Sequence, residues 1–80
     1  MISDPLELKV VAVVTRELSV PPGSINLLST SDDVDRWDSL GHLQICMALE
    51  AEFGVSPGLE EVGQINSVPA IIEYLRGMGI

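Results

Sequence analysis

Apolar residues recur at helical spacing in three segments of this 80-residue sequence, and proline or glycine follows each segment. The apolar positions are Leu6, Val10, Val13, Val14 and Leu18; Leu40, Leu43, Ile45, Met47, Leu49 and Phe53; and Val68, Ile71, Ile72 and Leu75. Intervals of three and four residues place such side chains on one side of a helix, whereas a strand alternates every second residue. The spacing therefore predicts an all-α protein.

Residues that favour helix ends agree with this interpretation. The predicted starts are Asp4 with Pro5, Asp38 or Ser39, and Ser67 with Pro69. The predicted stops are Pro21, Pro22 and Gly23, then Gly54, and finally Gly77 with Gly79. Residues 59–63 have room for one short acidic helical turn. We therefore expect a single domain over 1–80, a small four-helix bundle of three main helices and one short helix.

A long connection, residues 19–37, follows the first helix. It contains turn-forming residues and an acidic run, and a loop of this length in a compact domain is usually functional or packed by its own side chains. The expected anchors to the core are Ile25, Leu27, Leu28 and Val34, with Trp37 at the end of that group.

The charge of the chain limits its partners. Twelve Asp and Glu face four Lys and Arg, for a net charge of -8. Such a surface repels nucleic acids and anionic membranes and attracts basic patches on other proteins. One cysteine, no targeting peptide and no long apolar run predict a cytoplasmic protein in a reducing compartment, which we expect to be a monomer.

Few residues could do chemistry directly. Ser39 and His42 are neighbours on one helix, as a nucleophile and its base would be, but an orienting partner and an oxyanion pocket are lacking. Asp38, His42 and Cys46 span ~12 Å along a helix, too far to share one metal ion. The acidic run before Trp37 does not fit a calcium loop. We therefore expect His42 to be a partly exposed helix residue and Cys46 a small buried apolar residue.

Ser39 is better suited to be modified than to act. The start of a helix exposes unpaired backbone N–H groups and the positive end of the helix dipole, which together favour a phosphate. Asp38 adds a carboxylate that could help to hold a metal ion accompanying that phosphate.

The sequence around Ser39 resembles the acyl carrier protein family. The triplet DSL at 38–40 is preceded by the long acidic loop and followed by LQICMALEAEFGV, and INSV with a later YL pair lies near the end of the chain. These features come in the order of the family and cover nearly the whole chain, most strongly residues 37–55. The resemblance implies the family's four-helix bundle and a carrier that is not an enzyme.

The resemblance also implies a site and its partners. A phosphopantetheinyl transferase would attach 4'-phosphopantetheine from coenzyme A to Ser39, with a magnesium ion that Asp38 helps to place; no metal would stay bound. The thiol would hold an acyl or aminoacyl group as a thioester, loaded by a ligase and used by acyl-transfer enzymes. The residues that would contact partners are Leu40, Leu43, Gln44, Met47 and Glu50 of the second helix and Glu60 and Glu61 of the short helix.

Some residues differ from the pattern of fatty-acid carriers. Trp37 precedes the triplet, Gly41 and His42 follow it, and Gly41 weakens the helix start by up to ~1 kcal/mol relative to alanine. The sequence WDSLGHL resembles discrete carriers that serve dedicated pathways, and the resemblance implies an amino acid, a polyketide extender unit, or a lipid or surface-polymer precursor as cargo. The alternative is an acidic helical adaptor that is never modified with phosphopantetheine.

Overall fold

The computed structural model describes residues 4–80 and contains four helices over that range. They are α1 (Pro5–Leu18), α2 (Ser39–Phe53), α3 (Leu59–Gln64) and α4 (Val68–Gly77). The prediction of an all-α bundle with three main helices and one short helix is confirmed. In the described range, no helix has the length and apolar character needed to cross a membrane.

Side chains cap the helix starts as the sequence predicts. The carboxylate of Asp4 and the hydroxyl of Ser67 each accept a backbone N–H from the first turn of their helix, at 2.9 and 3.1 Å. α1 ends at Leu18, where the predicted connection of residues 19–37 begins. Ser19 adopts a left-handed conformation with φ 54°, and its N–H donates back to a carbonyl of the last turn.

The core lies between α1 and the two helices that pack on it, α2 and α4. The largest completely buried side chains are Val10, Val14, Ile45, Leu49, Val68, Ile71 and Leu75. Cys46 is also buried among them, as predicted. The inward side of α2 therefore faces α1, and its other side is left for solvent.

The long loop between α1 and α2 packs against the core with most of its predicted anchors. Ile25 and Trp37 are buried, and Leu27 and Val34 are partly buried. The prediction for Leu28 is wrong, since this side chain is 77% exposed. The side chain of Asn26 accepts the N–H of Leu28 at 2.8 Å and forms a tight turn. Leu28 stands at this turn with its side chain in solvent.

Backbone hydrogen bonds tie the same loop to the segment that connects α3 to α4. The Ser31 N–H donates to the Asn66 carbonyl, and the Val68 N–H donates to the Ser29 carbonyl, both at 2.9 Å. An isolated antiparallel bridge pairs Thr30 with Ser67 between them. This pairing brings the end of α3 to the same end of the molecule as the start of α2.

Candidate functional site at the start of α2

Ser39 is the first residue of α2, and its side chain is exposed. Asp38 caps the helix: its Oδ1 accepts the Gly41 N–H and its carbonyl accepts the His42 N–H, both at 2.8 Å. Among residues 4–80, the N–H groups of Ser39 and Leu40 have no acceptor. The hydroxyl of Ser39 therefore lies beside free backbone donors at the positive end of a helix of 15 residues.

Gly41 allows the end of the long loop and the end of α1 to pack closely against the first turn of α2. A Cβ atom at this position would lie 2.7 Å from the side chain of Leu18 and still closer to the backbone carbonyl of Arg36. Gly41 has helical geometry, so lack of a side chain is what the position requires. The amino-acid sequence shows only the weak helix propensity of Gly41, and this packing role was not predicted from it.

The ring of His42 bridges the end of the long loop to α3. The indole Nε1–H of Trp37 donates to Nδ1 of His42 at 2.9 Å. Nε2 of His42 lies 2.6 Å from the carbonyl oxygen of Val62, and because a carbonyl only accepts, Nε2 carries the proton. We call these two bonds the Trp37–His42–Val62 bridge. His42 is half-buried, as expected, but its bonding was not predicted.

The Trp37–His42–Val62 bridge argues against a hydrolase in which His42 would act as the base for Ser39. Both ring nitrogens of His42 bond to groups other than Ser39, namely the Trp37 indole and the Val62 carbonyl. A general base must reach the proton that it removes. This arrangement supports the view that Ser39 is not an activated nucleophile.

The remaining candidates for direct chemistry are similarly constrained. No group of three or more His, Cys, Asp or Glu within residues 4–80 could hold a metal ion. Cys46 lies 3.8 Å from Nε2 of His42, but burial, and to a smaller extent the charge of Glu50, raises the pKa of its thiol. A buried, protonated thiol is a poor nucleophile.

The outer side of α2 and the adjacent α3 carry apolar and acidic side chains together. The residues predicted to contact partners lie there: Leu40, Leu43, Gln44, Met47 and Glu50 are exposed on α2, as is Glu60 on α3. Glu61 is half-buried, and its carboxylate accepts the Gly58 N–H at 2.7 Å, so it also caps α3. Leu59 is 96% exposed and was not predicted, since position alone does not show which apolar residue stays outside.

An open cleft of about 360 Å³ lies beside Ser39. Its lining includes Asp38, Ser39 and His42 on the α2 side and Ser31, Asp32 and Asn66 on the other side. The cleft is formed where the long loop meets the end of α3. Trp37 and Gly63 complete the lining, which is therefore partly polar and partly apolar.

Comparison with known proteins identifies relatives of this chain. It is 35% identical over 69 residues to an acyl carrier protein of Thermosynechococcus vestitus, covering 85% of this chain and 84% of that protein. It is 28% identical over 74 residues to acyl carrier proteins of Rickettsia canadensis and Rickettsia rickettsii, covering 92% of this chain and 86% of each. No family model matches the chain. The chain therefore belongs to the acyl carrier protein family, whose members are carriers and not enzymes.

Proposed function

We propose that Ser39 carries 4'-phosphopantetheine and that the protein holds an acyl or aminoacyl group as a thioester on this arm. The observation that carries the proposal is the exposed hydroxyl of Ser39 at the capped start of α2, beside two backbone N–H groups without acceptors in the described chain. A phosphodiester on this oxygen would place its negative charge next to those donors and the helix dipole.

Asp38 fits a transient role in the attachment step. Its Oδ1 caps α2, and no described residue donates to its second oxygen. One exposed carboxylate is too few for a stable magnesium site, but it can add one ligand to an ion that the phosphates of coenzyme A already hold. We therefore expect the ion to come with the transferase and coenzyme A and to leave with them.

The arm would supply the thiol that the protein surface lacks. Cys46 is the only cysteine in the chain, and it is buried in the core. It cannot present a thioester to another enzyme. The chemistry of the thioester belongs to the cofactor, and the residues around Ser39 anchor and present it.

We propose that the outer side of α2 together with α3 is the surface that partner enzymes contact. Leu40, Leu43 and Met47 would supply apolar contacts, because all three are more than half exposed. Gln44, Glu50, Glu60 and Glu61 would supply polar and acidic contacts around them. The partners would be the transferase, a loading ligase and acyl-transfer enzymes with basic patches, and encounter with a monomeric carrier would be brief.

We also propose a dedicated pathway in the cytoplasm instead of general fatty acid synthesis. The support is that Trp37, Gly41 and His42, which set this chain apart from fatty-acid carriers, all make specific contacts at the site. The cargo is an amino acid, a polyketide extender unit or a lipid or surface-polymer precursor.

The direct test is attachment of the arm. With coenzyme A, magnesium and a broad-specificity phosphopantetheinyl transferase, we expect the purified protein to gain one phosphopantetheine mass. Proteolysis followed by mass spectrometry should locate the added mass on the peptide that contains Ser39. Modification of another residue, or no gain at all with a transferase active on a control carrier, would contradict the proposal and favour the adaptor.

Partner binding should depend strongly on salt. Charges screen one another over ~30 Å at 0.01 M salt and over only ~10 Å at 0.1 M. We expect the association rate with a loading enzyme to fall at least about tenfold across this range, measured by stopped-flow or surface plasmon resonance.

A matched pair of variants separates this effect from the overall charge of the protein. Glu50→Gln on α2 should reduce the salt dependence, whereas Glu73→Gln removes one exposed carboxylate from α4 and should leave it nearly unchanged. A rate that does not respond to salt would indicate an apolar interface instead.

A further inference from the structure

The short helix α3 has little of its own to hold it in place. It has six residues, none of them completely buried, and Leu59 at its start is almost fully exposed. Val62 is only partly buried against the core. A helix of this length is not stable without tertiary contacts. The position of α3 therefore depends on the partly buried side chain of Val62 and on the few contacts at the ends of the helix.

Two contacts hold the C-terminal end of α3: a hydrogen bond from His42 and the buried side chain of Ile65. Within the chain's own hydrogen bonding, the Glu61 carbonyl accepts the N–H of Ile65, whose side chain is buried. The next carbonyl, that of Val62, accepts instead from Nε2 of His42 on α2. Helix ends leave such carbonyls without intrahelical partners. His42 therefore completes the end of α3 from another helix.

Trp37 fixes which nitrogen of His42 carries the proton. The buried indole N–H can only donate, so the nitrogen facing it, Nδ1, must accept. A neutral ring then has its proton on Nε2, directed to the Val62 carbonyl. The bond from Trp37 and the bond to Val62 thus support one another.

We infer that His42 is a positioning residue that holds α3 against α2 through this single tautomer. It acts through the Trp37–His42–Val62 bridge and does not take part in any reaction at Ser39. The position of α3 sets where Leu59 and Glu60 stand relative to Ser39, and with it the shape of the surface offered to partners. Only this last consequence rests on the proposed function; the holding of α3 does not.

The chain offers two unique reporters, because it has one tryptophan and one histidine. In isotope-labelled wild-type protein, we expect a slowly exchanging indole N–H and a scalar coupling across the hydrogen bond from Trp37 Nε1 to His42 Nδ1. An indole N–H that exchanges as fast as a free one, or a proton on Nδ1, would overturn the inference without any variant.

Hydrogen exchange of the backbone then tests the effect on α3. In His42→Leu, which removes both bonds, we expect the N–H groups of Val62 and Ile65 to exchange about fivefold faster or more, relative to those of α1 and α4 in the same protein. His42→Gln keeps a donor near Nε2 and should restore much of the protection. Unchanged exchange at α3, or equal acceleration in all helices, would overturn the inference.

The attachment assay gives an independent functional readout. If His42 acts through α3, His42→Leu should raise the KM of the carrier as a substrate of the transferase several-fold, with kcat changed less than about twofold. A fall in kcat with unchanged KM would mean that His42 acts on Ser39 itself and would overturn the inference. Failure of the proposed function would differ, since wild-type protein would then not be modified at all.

Discussion

Replacement of Ser39 by alanine is expected to abolish phosphopantetheine attachment completely and to leave the stability of the fold unchanged. The attachment would form a bond from the serine oxygen to the phosphorus next to pantetheine, break the pyrophosphate of coenzyme A and release adenosine 3',5'-bisphosphate and the serine proton. Alanine has no oxygen to offer. The Ser39 hydroxyl is exposed and makes no hydrogen bond among the described residues, because Asp38 provides the cap of α2. We therefore expect the free energy of unfolding to change by less than about 0.5 kcal/mol.

Ser67→Ala is a matched control with the opposite outcome. The Ser67 hydroxyl accepts the Ala70 N–H at 3.1 Å and caps α4, and Ser67 is not among the residues that line the cleft beside Ser39. Its loss should lower the free energy of unfolding by about 1 kcal/mol and leave attachment intact. Intact-protein mass and urea unfolding measure the two properties separately. Residual attachment in Ser39→Ala would show that a different side chain receives the arm.

The difference between these two serines also shows what can be predicted from sequence. Both stand at helix starts, and helix starts follow from residues next to one another in the chain, which is why the four helices and the exposed Ser39 were predicted. Whether each hydroxyl is free depends on which side chain caps the helix. Ser67 itself caps α4, whereas Asp38 caps α2, as its place in the sequence suggested, and leaves the Ser39 hydroxyl free.

The contacts that shape the site could not be predicted, because they join distant parts of the chain. Gly41 meets Leu18 at the end of α1, and His42 meets the Val62 carbonyl on α3. Helical periodicity and helix-cap residues involve positions close together in the sequence, so they do not predict contacts between distant residues. The prediction for Leu28 failed for a different, local reason: the turn that Asn26 forms two residues earlier leaves this side chain in solvent, whereas its apolar character alone suggested burial.

Gly41→Ala is expected to lower the free energy of unfolding by about 2 kcal/mol, which is typical of inserting a methyl group into a closely packed site. Helix propensity alone predicts the opposite, a gain of up to about 1 kcal/mol. Packing should prevail because the new Cβ atom would meet the Arg36 carbonyl, and this backbone group lies next to the buried Trp37. The side chain of Leu18 can move aside more easily than that carbonyl.

Gly63→Ala provides the comparison that separates propensity from packing. Gly63 lies inside α3, is exposed, and has no heavy atom within 4 Å of where its Cβ would be. Alanine favours a helix more than glycine does, and at position 63 no steric clash opposes this effect. We therefore expect the free energy of unfolding to stay the same or to rise slightly. Urea unfolding of both variants measures the difference. If Gly41→Ala were as stable as Gly63→Ala, the close approach of the Arg36 carbonyl could not be what requires glycine at the start of α2. If only Gly41→Ala is destabilised, glycine is required at position 41 to let the end of the long loop pack against α2.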